Sequence, residues 1–160
     1  ICMPRRYRPP KRKIDPDVRY NSVQVQSFIN RVMKNGKKST ATRLMYNAFD
    51  QIEKDLKKNP LEVFQQALKN VSPVMEVKPR RVGGATYQVP MEVSSDRQFA
   101  LATRWILAAA RARSGRTFSE KLAGELMDAY NNTGPSIKRR DETHKMAEAN
   151  RAFSHYRVGR

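Results

Sequence analysis

The stretch Gly36-Lys37-Lys38-Ser39 comes nearest to a ligand-gripping motif in this chain. It superficially resembles a nucleotide phosphate loop, but that loop needs a glycine five residues before its Gly-Lys pair, and position 31 is arginine. What is left is a basic polar turn, Arg31, Lys34, Lys37 and Lys38, leading into a predicted helix start. Free N–H groups and the helix dipole at such a start attract a phosphate; an ordinary solvated loop is the alternative. The only histidines, His144 and His155, are eleven residues apart and share no spacing with a metal set or a nucleophile–base pair. Asp141 and Glu142 precede His144, yet neighbours on a helix point about 100° apart. These acids therefore suit a helix N-terminal end better than an acid–base pair. One cysteine, Cys2, allows neither an internal disulfide nor a cysteine zinc site. The expectation is a non-enzyme with no cofactor and no metal.

Charge sets the class of partner. Lysines and arginines total 32 against 15 acids, a net charge of +17 over 160 residues. Self-repulsion on that scale calls for a polyanion, and each phosphate neutralised by a cation releases condensed counterions. An anionic membrane surface is the rival. The longest apolar run, Phe99 to Ala112, is cut by Arg104 and Arg111, well short of the roughly 20 apolar residues of a membrane span. No apolar stretch near residue 1 could serve as a secretory signal, so neither secretion nor a membrane is expected.

The elements that must carry these charges are mostly helical. Residues 1–17 mix prolines with Arg5, Arg6, Arg8, Lys11, Arg12 and Lys13 and lack hydrophobic periodicity. They read as a basic extension that orders only on a partner, with a reach of about 55 Å when extended; a solvated tail is the alternative. Residues 18–156 read as one domain, and 157–160 as a short tail. The first helix places Val25, Phe28, Ile29, Val32 and Met33 on one stripe, with Ser22 as N-cap and Gly36 as C-cap. The second runs from about Lys38 to Lys57. Asn59 caps the third, with Pro60 at its first position, and Leu61, Phe64, Ala67, Leu68 and Val71 face inward.

From about 74 to 90 the composition turns β-branched, aromatic and basic around Gly83-Gly84, a pair able to supply the two positive φ angles of a hairpin turn. That turn pairs Val82 with Ala85, Arg81 with Thr86, Arg80 with Tyr87 and Lys78 with Val89, so Lys78, Arg80 and Tyr87 share a face. Pro79 and Pro90 argue against a wider sheet, which predicts an isolated, projecting ribbon. A long helix to about Ala112 is apolar round much of its girth, except for Arg97, Arg104 and Arg111. Seven-residue spacing drifts only about 20° per step and lines these three along one side. Thr117 and Glu120 form a capping-box spacing for a fifth helix, which Gly134-Pro135 is expected to end. A sixth, about Ile137 to Phe153, has weak apolar periodicity and is expected to be peripheral. The fold class is thus mainly α: six helices, one protruding β-hairpin and an extended basic N-terminal tail.

The arginine stripe, continued by Arg113 and Arg116, suits bidentate phosphate recognition with few acids nearby in sequence; a solvated face is the alternative. Arg80 and Tyr87 together offer charge and a stacking surface of the kind used on exposed nucleotides, against simple cross-strand packing.

The residues Lys78-Pro79-Arg80-Arg81-Val82-Gly83-Gly84-Ala85-Thr86-Tyr87-Gln88-Val89-Pro90 closely resemble the hairpin signature of the small-subunit ribosomal protein seven family, bacterial type. Met3-Pro4-Arg5-Arg6, Gly36-Lys37-Lys38-Ser39, Pro60-Leu61-Glu62, Asn70-Val71, Arg104-Trp105, Met146 through Phe153 and His155-Tyr156-Arg157 resemble it in the same order and spacing. The resemblance implies a protein of the cytoplasmic or an organelle ribosome that binds the 3′ major domain of small-subunit ribosomal RNA and nucleates assembly of the head. It implies that Lys78, Arg80, Arg81, Gly83, Gly84 and Tyr87, with Arg140 and His144, lie near the exit-site transfer RNA and the messenger path. Ribosomal protein eleven and other head proteins are the implied neighbours, and the tail cations with the Lys34 to Lys38 turn are assigned to ribosomal RNA. The family usually starts at the methionine matching Met3, so Ile1-Cys2 reads as an extension or an unusual start. It often ends Tyr-Arg-Trp, where this chain has Tyr156-Arg157-Val158-Gly159-Arg160.

Two rival readings use the same cations: a repressor binding messenger RNA through the same surface, and a DNA-bending protein indifferent to the 2′-hydroxyl.

Overall fold

A computed structural model describes residues 13–156. The expectations for Arg5, Arg6, Arg8, Lys11, Arg12 and residues 157–160 lie outside the described residues. Six helices and one hairpin follow in order: α1 (Val23–Val32), α2 (Lys38–Leu56), α3 (Pro60–Val71), β1 (Met75–Val82), β2 (Ala85–Glu92), α4 (Ser95–Ala112), α5 (Phe118–Tyr130) and α6 (Pro135–Ala149). A 3-10 turn, Arg151–Tyr156, closes the described chain.

The apolar stripes meet as their periodicity requires. Phe28, Phe49 and Phe64 are fully buried and join edge to face, with ring centroids 5.3 Å apart for Phe28–Phe64 and 5.6 Å for Phe49–Phe64. Burying each such ring contributes roughly 1.5–3 kcal/mol. Helix α4 packs against α1, α3, α5 and α6, with Leu101, Ala102, Ile106, Leu107 and Ala110 inward, so its charged side is left to solvent.

Local signals explain most boundaries. Asn59 Oδ1 accepts from the Leu61 N–H at 3.0 Å at the start of α3, where Pro60 has no N–H to leave unpaired. Thr117 and Glu120 close the capping box of α5 in both directions, at 3.3 and 3.4 Å. The hairpin has the expected register throughout, from Met75 opposite Glu92 to Val82 opposite Ala85, with φ of +58° at Gly83 and +90° at Gly84.

Five expectations need correction. Helix α1 has Ser22 at its N-cap as expected, though without a side-chain cap hydrogen bond, but it is capped at its other end by Met33, and Gly36, at φ +72°, belongs to the following turn. Gly134-Pro135 starts α6 rather than ending α5. Gly134 is its N-cap at φ +94°, a Cβ there would meet Asp128 Cβ at 3.1 Å, and Pro135 takes the first helical position. The last predicted helix is split, because α6 stops at Ala149 and the chain tightens into the 3-10 turn. Helix α6 is not peripheral: Ser136, Ile137, Thr143 and Ala147 are buried, and it packs against α3, α4, α5 and both strands. Its inward face is partly polar, which is why apolar periodicity missed it. The ribbon is also less isolated than expected, since Val89 is fully buried, and α6 and the 3-10 turn cover its base.

The described segment before α1 is held at Asp17. Asp17 is buried, receives the Arg19 and Tyr20 N–H groups at 3.2 Å each, and accepts the Tyr46 hydroxyl at 2.7 Å.

Candidate nucleic-acid interface

The turn between α1 and α2 and the C-terminal end of α4 lie on the same side of the body. Lys34 and Lys37 from the turn and Arg111 from α4 rim one cleft of about 300 Å³, whose apolar lining includes Val32, Ala41, Leu44 and Phe118. Two groups of cations that are 70 or more residues apart in sequence thus converge, and no acid lines the cleft. The first turn of α2 carries no acidic residue, and its cap position, Lys37, has a side chain that cannot accept a hydrogen bond. Lys38 is exposed beside this turn.

The arginine stripe divides by its partners. Arg104, Arg111 and Arg116 are exposed and make no ion pair with any described residue. Arg97 shares the carboxylate of Glu76, 3.3 Å away at the hairpin base, and Lys78 takes the other oxygen at 3.1 Å. Arg113 turns inward to Glu125 at 2.9 Å and to Asp128 at 2.5 Å. Its pKa is raised further above the usual arginine value, first by the hydrogen bond to Asp128 and then by Glu125, against the opposing effect of burial. Glu125 is fully buried and also accepts the Ser136 hydroxyl at 2.6 Å, so Arg113 tethers the end of α4 to the start of α6. The premise of few nearby acids therefore fails for Arg97 and Arg113. Arg31 reaches from α1 to the Ala100 carbonyl at 3.3 Å while lying over the Phe99 ring.

On the hairpin, Arg81, Gly83 and Gly84 are exposed and Arg80 is half-buried. Tyr87 is half-buried against Phe153 of the 3-10 turn, with ring centroids 5.3 Å apart and planes 47° apart, so part of its stacking face is occupied. Arg140 donates to the Asn70 carbonyl and to Asp141, which fastens α6 to the end of α3. His144 Nε2 accepts the Val74 N–H at 3.1 Å. Both residues hold the root of the hairpin. Lys13 is exposed where the described chain begins.

Sequence reasoning passed over two further cations. Arg19 pairs with Asp50 at 2.8 Å, which raises its pKa, and lies over the Tyr20 and Tyr46 rings. Arg43 is exposed on α2, lining a groove with Lys38 and Ser39. Its four-residue spacing from Ser39, on the side of α2 away from Ala41, Met45 and Ala48, was the available signal. Among the described residues no cluster of histidine, cysteine or acids could hold a metal, and no helix is long and apolar enough to cross a membrane.

A helical frame that turns lysines and arginines outward, beside a basic ribbon, fits the class of nucleic-acid-binding proteins. The family model described as ribosomal protein S7p/S5e matches residues 4–151, and the chain belongs to that family. Relatives named small ribosomal subunit protein uS7 agree. That of Chloroflexus aggregans is 62% identical over 154 residues, covering 96% of this chain and 98% of the relative. That of Roseiflexus sp. is 62% identical over the same shares. That of Thermotoga neapolitana is 60% identical over 153 residues, 96% and 99% of the two chains. The family resemblance read from the hairpin and final-helix motifs is borne out, and this family is one of ribosomal proteins, not enzymes.

Proposed function

We propose that this chain is a structural constituent of the small ribosomal subunit which binds its ribosomal RNA directly and nucleates folding of the 3′ major, or head, domain. The observation that carries this reading is the meeting of Lys34 and Lys37 of the α1–α2 turn with Arg111 of α4 around one cleft that no acid lines, with Arg104 exposed one heptad earlier on α4. Phosphates crowded at an RNA multi-helix junction are the matching surface, because such a body supplies many backbone contacts and few base readers. Arg31, Lys34, Lys37, Lys38, Arg104, Arg111 and Arg116 contact RNA in this reading, with Arg97 contributing less because Glu76 holds it. The tail cations Arg5, Arg6, Arg8, Lys11, Arg12 and Lys13 extend the grip from the anchor at Asp17.

The ribbon tip, with Arg80, Arg81, Gly83 and Gly84, lies near the exit-site transfer RNA and the messenger, and ribosomal protein eleven is a neighbour. Tyr87, Arg140 and His144 serve there by setting the ribbon's posture, which their contacts with Phe153, Asn70 and Val74 support. Arg113 supports the interface from behind through Glu125 and Asp128. Footprinting the chain on protein-free small-subunit RNA tests the proposal. Protection confined to the 3′ major domain is expected, and protection spread evenly over all domains would overturn it.

A further inference from the structure

The cleft rimmed by Lys34, Lys37 and Arg111 has a feature that phosphate binding does not use: its lining is apolar. Val32 and Ala41 are nearly fully buried at its floor, while Leu44 and Phe118, the latter also packed against the core, are partly exposed on its walls. Backbone phosphates need only the rim. Solvent-open apolar walls in a chain this charged stay wetted at a free-energy cost until something flat and weakly hydrated displaces the water.

We infer that this cleft receives one unstacked nucleobase of the bound RNA, with the flanking phosphates held by Lys34, Lys37 and Arg111; the inference rests on the RNA-binding reading above. Four observations favour a base over other occupants. The cleft's roughly 300 Å³ sits at the small end of ligand pockets. Phe118 offers an aromatic face of the kind on which unpaired bases stack irrespective of sequence. The charged residues at the rim are all cations, complementary to the two phosphates that flank any internal nucleotide. Thr40, exposed at the edge, has a hydroxyl that can donate to or accept from a base edge. An acidic peptide with an aromatic side chain would satisfy the same chemistry less completely, because its charges do not flank the ring at fixed spacing.

The local sequence builds this pocket. The capping box at Thr117 and Glu120 fixes Phe118 as the first residue of α5, which places its Cα beside the cleft. Ser114 to Thr117 bring it back beside Arg111, while the Met33–Lys37 turn brings the opposite wall.

The experiment uses the full chain and a transcript of the small-subunit RNA 3′ major domain, with a duplex RNA of equal charge as reference. Phe118→Leu keeps the apolar volume but removes the aromatic face, and Leu44→Trp fills the cleft from the other side. Each is expected to weaken binding about tenfold, equivalent to about 1.4 kcal/mol, without changing the salt dependence. Lys34→Gln with Lys37→Gln should instead flatten that dependence. Removing bases one at a time from unpaired positions should reveal a single abasic site whose loss is not additive with Phe118→Leu, a coupling that a merely destabilised fold would not produce. Affinities for the transcript unchanged in both cleft variants, with wild-type preference for it intact, would overturn the base pocket alone. A wild-type chain that prefers neither RNA would overturn the parent reading and this one together.

Discussion

Partner geometry predicts that the arginines of α4 and its C-terminal extension do not contribute equally to RNA affinity, although sequence spacing treats the stripe as uniform. Arg104 and Arg111 are exposed with no ion pair to any described residue, Arg97 lies 3.3 Å from Glu76, and Arg113 lies 2.9 Å from the buried carboxylate of Glu125. Each phosphate neutralised by an unpaired cation contributes about 0.7 to 0.9 to the slope of log K against log salt. Arg104→Gln combined with Arg111→Gln should therefore flatten the slope by about 1.4 to 1.8. Between about 50 and 200 mM salt this makes the affinity loss roughly tenfold smaller than in wild type. Arg97→Gln should remove only a fraction of one contact, because binding a phosphate already means competing with Glu76. Arg113→Gln should leave the slope unchanged and lower the melting temperature instead. Fluorescence anisotropy of a labelled 3′ domain transcript across that salt range reads the three slopes, and a circular-dichroism melt reads the stability of Arg113→Gln. Equal slope changes for Arg104, Arg97 and Arg113 would refute the argument, since partner geometry would then have no bearing on phosphate contact.

Three further outcomes follow from the packing. Glu125→Gln strands Arg113 with Asp128 and weakens the hydrogen bond from Ser136, costing about 2 kcal/mol and lowering the melting temperature by roughly 4–8 °C; an unchanged melt by circular dichroism would mean that the buried node does not hold α6. Replacing Pro79–Gln88 with Asn-Gly keeps the Lys78–Val89 pair under a two-residue turn and loses the Tyr87–Phe153 contact, a stability cost below about 1.5 kcal/mol; the domain should stay folded and bound to the transcript, and global unfolding in the same melt would show the ribbon tip to be part of the core. Tyr20 and Tyr46 have pKa values raised chiefly by burial, so above about pH 10 the unfolded chain loses their protons first, and stability present below that pH falls as pH rises; urea midpoints should decline less steeply in Tyr20→Phe with Tyr46→Phe, and an identical decline would remove these hydroxyls from the account.

The parts of the fold written in local code were legible in the sequence. Gly83-Gly84 dictates the hairpin register, Thr117 with Glu120 dictates the start of α5, and Asn59-Pro60 dictates that of α3, because each signal acts within four residues. Gly134-Pro135 was ambiguous: glycine is common after a helix, but proline at a first helical position decides for the start of α6. The positions of the cations along the stripe were legible too, and their availability was not. Arg97 meets Glu76 across 21 residues of chain, Arg140 meets the Asn70 carbonyl across 70, and His144 meets Val74 across 70. Only the tertiary fold decides which charges are spent internally. The same holds for the cleft, whose lining comes from α1, the α1–α2 turn, α2, α4 and α5.

The central claim is that outward cations on a rigid helical frame match the phosphates of one folded RNA. Its most direct test is the affinity of the full chain for the 3′ major domain transcript against a duplex RNA of equal charge, at one salt concentration near 0.15 M. A preference on the order of a thousandfold is predicted, the low end of specific over non-specific nucleic-acid binding. Equal affinity for the two would contradict the account.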